Sequence, residues 1–504
     1  MTMKDILIKS VAVAAISLMA ARANAQTGNP YIHDPSTIVE CEGKYYTFGT
    51  GGGGLISEDG WTWESGAVRP GGGVAPDAIR IGDRYMVVYA AGAKGGVNGH
   101  KSRVYMMWNK TLDPNSPDFA YTEAIDIAGS DGYEDCDGID PGLLMGPDGR
   151  LWLVYGTYFG YIRIVEMDPR SGLVKEGAEP VDVAISCEAA EMIYEDGWYY
   201  LLATHGTCCD GANSTYQTIV GRSRNPLGPY VDNIGRDMMQ GGGKLVLASE
   251  KNRIGAGHFG RFIVDEGVEK MSVHFEGDLD RSGRSVLAIR PLLWKNGWPL
   301  AGEILEDGNY GIVSCRRGNA LELAVKTVRM EGARRAFGGF GGQRAPGQGN
   351  AQAAAPQQRP AVQEAPKPVP EQTLADVIGT WPEGDIPVRL GADMFRPHQE
   401  WTITALNDRE GYLGGPYYRI SINGTERTLT ATADREVEAV DGFTGEDCQL
   451  WRIEQLTDGS WRIMPKAVPG TDEKLALISI ADGTPTLGRF DFSSDNSKWY
   501  FRTH

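Results

Sequence analysis

Cysteine is scarce in this chain: seven in 504 residues, an odd number, with no Cys-x-x-Cys pair. That excludes a disulfide-built scaffold and leaves a structural zinc site without its usual ligands. Basic residues are outnumbered 49 to 66, for a net charge of −17. Such a balance argues against nucleic acid or an anionic polymer as ligand and suits a neutral one, such as a sugar. Long amphipathic helical patterns are missing. No motif marks an organic cofactor. The mostly apolar stretch from Ser10 to Ala21 is too short to span a bilayer, and no later stretch is apolar enough to do so. It follows Lys4 and Lys9 and precedes Ala23-Asn24-Ala25. This predicts a signal peptide over residues 1–25 and an exported protein, periplasmic or extracellular, with no membrane span and a monomeric state.

What is present is a recurring phrase: a turn with Gly or Asp, then aromatic and β-branched residues. It reads EGKYYTFGT (42–50), GDRYMVVYA (82–90), DGRLWLVYGT (148–157) and DGWYYLLAT (196–204), with a weaker copy in VEKMSVHFEG (268–277). Each is a turn entering a strand. Five strand-rich units predict an all-β chain whose residues 27–305 form a five-bladed β-propeller. A β-sandwich with long loops is the alternative.

Residues 330–372 are mostly Gly, Ala, Pro and Gln, a composition that cannot bury enough apolar surface to order itself. Downstream stand Trp401, Trp451 and Trp499, 50 and 48 residues apart. Aromatic-x-Ile units begin at Tyr310, Tyr418 and Trp461; the second and third precede their tryptophans by 33 and 38 residues, the first by 91. Removing an insertion of about 45–50 residues restores the period. The low-complexity run therefore reads as a loop inside the first of three repeats, and residues 306–504 as one domain. The repeats resemble the ricin-type β-trefoil, whose Gln-x-Trp signature is kept at Gln399 and Gln449 and degraded to Ser497.

Among 66 acids, three stand out by placement. Asp34 and Asp140 each precede proline just ahead of a strand, and Glu188 precedes the fourth strand phrase. Comparable positions in different blades converge at the mouth of the central channel. Carboxyls meeting there have their proton affinities pushed apart, one remaining a base and another a held acid, as glycosidic hydrolysis requires.

These residues carry a resemblance. The ordered set includes His33-Asp34-Pro35, Ala75-Pro76-Asp77, Ile139-Asp140-Pro141, Glu188-Ala189, Cys208-Cys209 through Tyr216, Gly221-Arg222-Ser223 and Gly257-His258. Over residues 27–305 it resembles glycoside hydrolase family 43, and within it the endo-1,5-α-L-arabinanases. The resemblance implies an inverting hydrolase acting on arabinan or arabino-oligosaccharides of plant cell walls. Asp34 would be the general base, Asp140 would tune and orient the acid, and Glu188 would protonate the leaving oxygen. It also implies calcium in the central channel near His258, held largely through water. His33, Asp77, His205, Asn213, Ser214 and Tyr216 are the expected sugar contacts.

Several departures bear on these expectations. Val74 stands where the family often has tryptophan, which removes a sugar platform. Glu191 lies three residues after Glu188, and motif register favours Glu188 as the one facing the channel. Cys208 and Cys209 either close a vicinal disulfide or remain reduced. Endo and exo action both remain open. Other family 43 activities (β-xylosidase, arabinofuranosidase, galactan cleavage) are alternatives, as is a catalytically silent carbohydrate-binding propeller.

Overall fold

The computed structural model describes residues 26–92, 101–129, 137–158, 160–251, 253–278, 282–326, 372–480 and 483–503. The expected signal peptide and nearly all of the low-complexity run lie outside the described residues.

Five antiparallel sheets follow one another along the chain. The first strands of neighbouring sheets touch one another, so they line a common axis. The first and second strands are Val39–Cys41 and Lys44–Phe48 in blade I, and Val74–Ile81 and Arg84–Gly92 in blade II. They are Gly142–Met145 and Leu151–Tyr155 in blade III, Glu188–Glu195 and Trp198–His205 in blade IV, and Ile254–Asp265 and Val268–Asp278 in blade V. Each recurring phrase is the second strand of one blade, including the weak fifth copy. The turns entering them need the left-handed region: Glu42 and Gly43 in blade I, and Asp196 and Gly197 in blade IV, all have positive φ. Two such residues in succession make the tight hairpin that matches strand twist. Leu151–Tyr155 is buried along its whole length. A strand covered on both faces by neighbouring sheets loses polar alternation, which is why these phrases read as nearly continuous apolar runs.

The ring is closed by the segment before blade I. Thr27–Gly28 pairs in parallel with the outer strand of that blade. Immediately after it, the Leu287 N–H donates to Pro30 O at 2.8 Å and the Ile32 N–H to Ser285 O at 3.2 Å. First and last blades are thereby joined through the backbone.

After Ala301, a separate β-rich region begins at Gly308–Ser314. Six strands pair in a closed ring: Gly308–Ser314, Glu400–Ala405, Tyr418–Ile422, Trp451–Gln455, Trp461–Pro465 and Trp499–Thr503. Three hairpins accompany them: Asn319–Leu323 with Ile386–Ala392, Thr428–Ala431 with Val437–Val440, and Ala476–Ser479 with Pro485–Gly488. Trp401, Trp451 and Trp499 are fully buried, and each indole N–H donates to a hairpin carbonyl: Leu321, Leu429 and Leu477, at 2.8, 2.9 and 2.8 Å. The two strands flanking the low-complexity run, Asn319–Leu323 and Ile386–Ala392, pair with each other. That run therefore joins the two arms of one hairpin rather than two domains.

A charged knot ties this region to blade V. Glu454, whose side chain is wholly buried, faces Lys270 at 3.3 Å and Arg452 at 2.8 Å, and also pairs with Arg462. Arg462 in turn reaches Asp265 at 3.0 Å. Despite its burial, Glu454 is held far below the ordinary carboxylate range by Lys270, Arg452 and Arg462. Removing one member of such a cluster strands like charges away from water. Glu454→Gln is expected to destabilise the protein by about 3–5 kcal/mol, read as a lowered urea midpoint.

Candidate active site

In or shortly before each inner strand stands a non-glycine residue in the left-handed region. They are Asp34, Ala75, Asp140, Ala189 and His258, with φ of 51, 46, 51, 49 and 60°. In blades II, IV and V the first-to-second strand register shifts around this residue. A bulge of this kind bends the strand and re-aims a side chain. Asp34, Asp140 and His258 thus occupy one equivalent position in three blades. Glu188 does not share it: it stands one residue earlier, beside left-handed Ala189, where blade I has His33. The expected equivalence of the three acids therefore holds for two of them.

The N–H of the left-handed residue is accepted across the blade boundary. Asp34 N–H donates to His274 Nδ1 of blade V at 3.1 Å, and Ala75 N–H to Thr50 Oγ1 of blade I at 3.0 Å. Ala189 N–H donates to Asp140 Oδ2 at 3.0 Å, and His258 N–H to Thr204 Oγ1 at 3.1 Å. Thr50 and Thr204 lie at the ends of two recurring phrases. Their role was hidden in a strand signal, as was that of His274 in the weak fifth phrase.

Around Asp34 the geometry favours the anion. Thr50 Oγ1 donates to its Oδ2 at 2.7 Å, while His33 Nε2 and His258 Nδ1 both lie 3.5 Å from its Oδ1. Burial alone would raise its proton affinity, but the hydrogen bond and charge of His258, with His33 beside it, hold it far below the carboxylate range. His274 is itself pushed down to about 3 by burial. It is therefore a neutral imidazole that accepts from Asp34 N–H, and its 3.8 Å approach to Oδ1 is not an ion pair. His258, in contrast, has its proton affinity raised despite burial, through Asp34.

The other two acids move the opposite way. Burial lifts Asp140 to about 8, helped by Glu188 and Asp34 and opposed by His258. Glu188 is also raised by burial and by Asp34, against a 3.3 Å hydrogen bond from Thr157 Oγ1 to its Oε2. The site thus holds one firmly ionised carboxylate beside two whose proton affinity is raised. Asp140 grips the backbone immediately after Glu188 and so orients it.

Glu191 is buried, packed against Gly142 and beside Asp77. The bulge between Glu188 and Glu191 decides which acid reaches the channel.

The expected sugar contacts divide. A cleft of about 520 Å³ lined by Tyr31, His33, Thr50, Arg284 and Ser285 opens beside Asp34. His33 is therefore on its wall. His205 and Asn213 are exposed, with His205 Nδ1 2.7 Å from Ser186 O. Asp77, Ser214 and Tyr216 are buried instead. Ser214 Oγ donates to Thr207 O at 2.6 Å, and Tyr216 packs 6.1 Å from the His274 ring. Both support the loop from within rather than lining its surface. Cys208 and Cys209 form a vicinal disulfide, and Cys209 Sγ lies 3.5 Å from His33 Nε2. The loop is therefore a stiffened turn pressed against the histidine that flanks Asp34.

Calcium takes six to eight oxygen ligands. His258 supplies one nitrogen donor set and turns Nδ1 toward Asp34. Among the described residues the close groupings of His, Cys, Asp and Glu side chains that could hold a metal centre on His33 rather than His258, so a calcium near His258 would have to be held largely through water.

Residues 47–299 match the family described as Glycosyl hydrolases family 43. An extracellular exo-alpha-(1->5)-L-arabinofuranosidase of Cellvibrio japonicus is 28% identical over 326 residues, covering 58% of this chain and 92% of that protein. An extracellular endo-alpha-(1->5)-L-arabinanase of Bacillus subtilis is 28% identical over 324 residues, covering 58% and 95%. The crystal structure of an exo-1,5-alpha-L-arabinanase from a bovine ruminal metagenomic library superposes with a TM-score of 0.50 and 31% identity, covering 55% of this chain and 98% of that one.

The raised proton affinity of Asp140 has a stability consequence with a definite sign. The unfolded chain ionises this group near its ordinary value, while the folded chain resists until about pH 8. Folding is therefore penalised increasingly as pH rises between those values. Asp140→Asn is expected to raise the melting temperature at pH 7–8 relative to the parent, with the difference vanishing near pH 4. Thermal denaturation across that range checks it.

Proposed function

We propose that this chain, which belongs to glycosyl hydrolase family 43, is an exported hydrolase that cuts α-1,5-linked L-arabinofuranosyl bonds in arabinan or arabino-oligosaccharides with inversion. The observation that carries the reading is the opposed surroundings of neighbouring acids: Asp34 held as the anion by Thr50, His33 and His258, and Glu188 beside Thr157 with its proton affinity raised by burial. The arabinan-acting relatives, two of them named extracellular, support the substrate and export.

In the mechanism, Asp34 accepts a proton from a water as the water oxygen attacks the anomeric carbon. Glu188 gives its proton to the glycosidic oxygen as that bond breaks. Asp140 remains bonded to Ala189 N–H and so orients Glu188, whose proton is favoured by burial and by the Asp34 charge until the transfer. Inverting acids stand about 6.5–9.5 Å apart to leave room for the water. His33, His205 and Asn213 are the accessible polar groups that meet the sugar. The closed six-strand ring with three hairpins supports reading residues 306–504 as a β-trefoil.

Leaving-group chemistry tests the roles. General acid–base steps are each worth about 10²–10⁴-fold. Glu188→Ala is expected to lose that much kcat on linear arabinan but far less on a nitrophenyl arabinofuranoside, whose leaving group needs no proton. Asp34→Ala should lose both activities. Proton NMR of the first product should show the inverted anomer. A leaving-group signature in Glu191→Ala instead of Glu188→Ala would overturn the assignment of the acid, and retention of configuration would overturn the mechanism.

A further inference from the structure

A second tier of polar groups lies next to the three acids, and the mechanism above does not use it. Asp77, on the inner strand of blade II, is only 3% exposed. Its Oδ1 accepts the Thr37 N–H at 2.9 Å, and its Oδ2 accepts the Leu143 N–H at 2.9 Å. Thr37 stands three residues after Asp34, and Leu143 three residues after Asp140. One carboxylate thus spans the two chain segments, in blades I and III, that lead from those acids into the inner strands. Glu191, three residues after Glu188, closes the tier from blade IV. A Cβ on Gly142 would fall 2.2 Å from Glu191 Oε2 and 2.7 Å from Ala190 O. The chain segments bearing all three acids therefore meet around Asp77, Gly142 and Glu191.

This placement answers a question the sequence left open. Asp77 was expected to touch sugar, yet it is buried with both oxygens engaged by backbone donors. A bidentate acceptor held between two blades fixes a distance, as a bond to one blade would not. Burial raises the proton affinity of both Asp77 and Glu191, and Asp77 adds repulsion at Glu191; a tier this poorly hydrated has little room to rearrange.

Resting on the roles given above to Asp34, Asp140 and Glu188, we propose that Asp77 is a positioning residue for the hydrolysis. By bridging Thr37 and Leu143 it sets the spacing of Asp34 and Asp140 across the channel, with Glu191 and the bare face of Gly142 bracing the third strand. Asparagine at 77 keeps the size and one acceptor but turns an amide N–H toward the other backbone donor, so one of the two strands is released. Displacements of about 1 Å at a reacting group cost up to about 10²-fold in rate.

The test compares full-length parent and Asp77→Asn on linear arabinan and on a nitrophenyl arabinofuranoside. The variant is expected to show the parent's near-ultraviolet circular dichroism, a KM within about twofold, and a kcat lower by about 10- to 100-fold on both substrates. Azide, a small nucleophile that needs no base, should restore part of the lost turnover on the nitrophenyl substrate, as it should for Asp34→Ala. A folded variant with the parent's kcat overturns the proposal. So does a loss that azide leaves unchanged and that follows the unfolded fraction, since the role is then structural only. If Asp77→Asn does not fold, Gly142→Ala disturbs the tier from the opposite side and should give the same split between kcat and KM. Failure of both variants to fold also overturns the proposal. A parent inactive on every arabinan would instead sink the functional reading, which keeps the two failures distinct.

Discussion

The site depends on one backbone constraint: a non-glycine residue forced into the left-handed region in or just before each inner strand. For an L-residue this conformation costs about 1–2 kcal/mol, and the propeller adopts it five times, at Asp34, Ala75, Asp140, Ala189 and His258. Strain of this kind persists only where the surroundings over-determine it. Here the surroundings are neighbouring blades, which accept the N–H of four of these residues through His274, Thr50, Asp140 and Thr204. The same bonds that hold the strained turns also lock blade to blade. Geometry at the axis and cohesion of the ring are therefore a single property.

That coupling explains the electrostatics. A neutral His274 can accept from a backbone N–H and still leave Asp34 free to ionise against His258. Asp140 spends one oxygen on Ala189 and so holds the backbone that presents Glu188. Each acid is placed by another group of the site. Buried charge is tolerated at the axis because the partners are rigid, and at the boundary with the C-terminal region because Glu454 has three cations around it.

Much of the architecture was legible because burial leaves a compositional trace. The five phrases are second strands covered on both faces, and the three tryptophans each fill an equivalent place in the six-strand ring. The chain positions of Asp34, Asp140 and Glu188 could likewise be read from their neighbours. What stayed hidden depends on φ and on bulges. Motif spacing does not reveal that Glu188 sits one residue out of step with Asp34, because the left-handed residue there is an ordinary alanine. Nor does it reveal that Asp77, Ser214 and Tyr216 point inward, since a buried carboxylate gripping two backbone amides is spelled like a surface one. The state of Cys208 and Cys209 was open for the same reason: sequence gives their adjacency, not the turn that brings their sulfurs together.

The bridge from residues 30–32 to the strand at 285–287 has a bearing on biosynthesis. The segment that seals the ring is made well before its partner, which follows about 250 residues later. At about 5–20 residues per second it waits on the order of 10–50 s before that partner exists. Blades I to IV can be assembled in that interval only as an open arc, with one edge still unpaired. The finished channel, and every group that faces its neighbour across it, is completed only once the strand at 285–287 is available, rather than blade by blade.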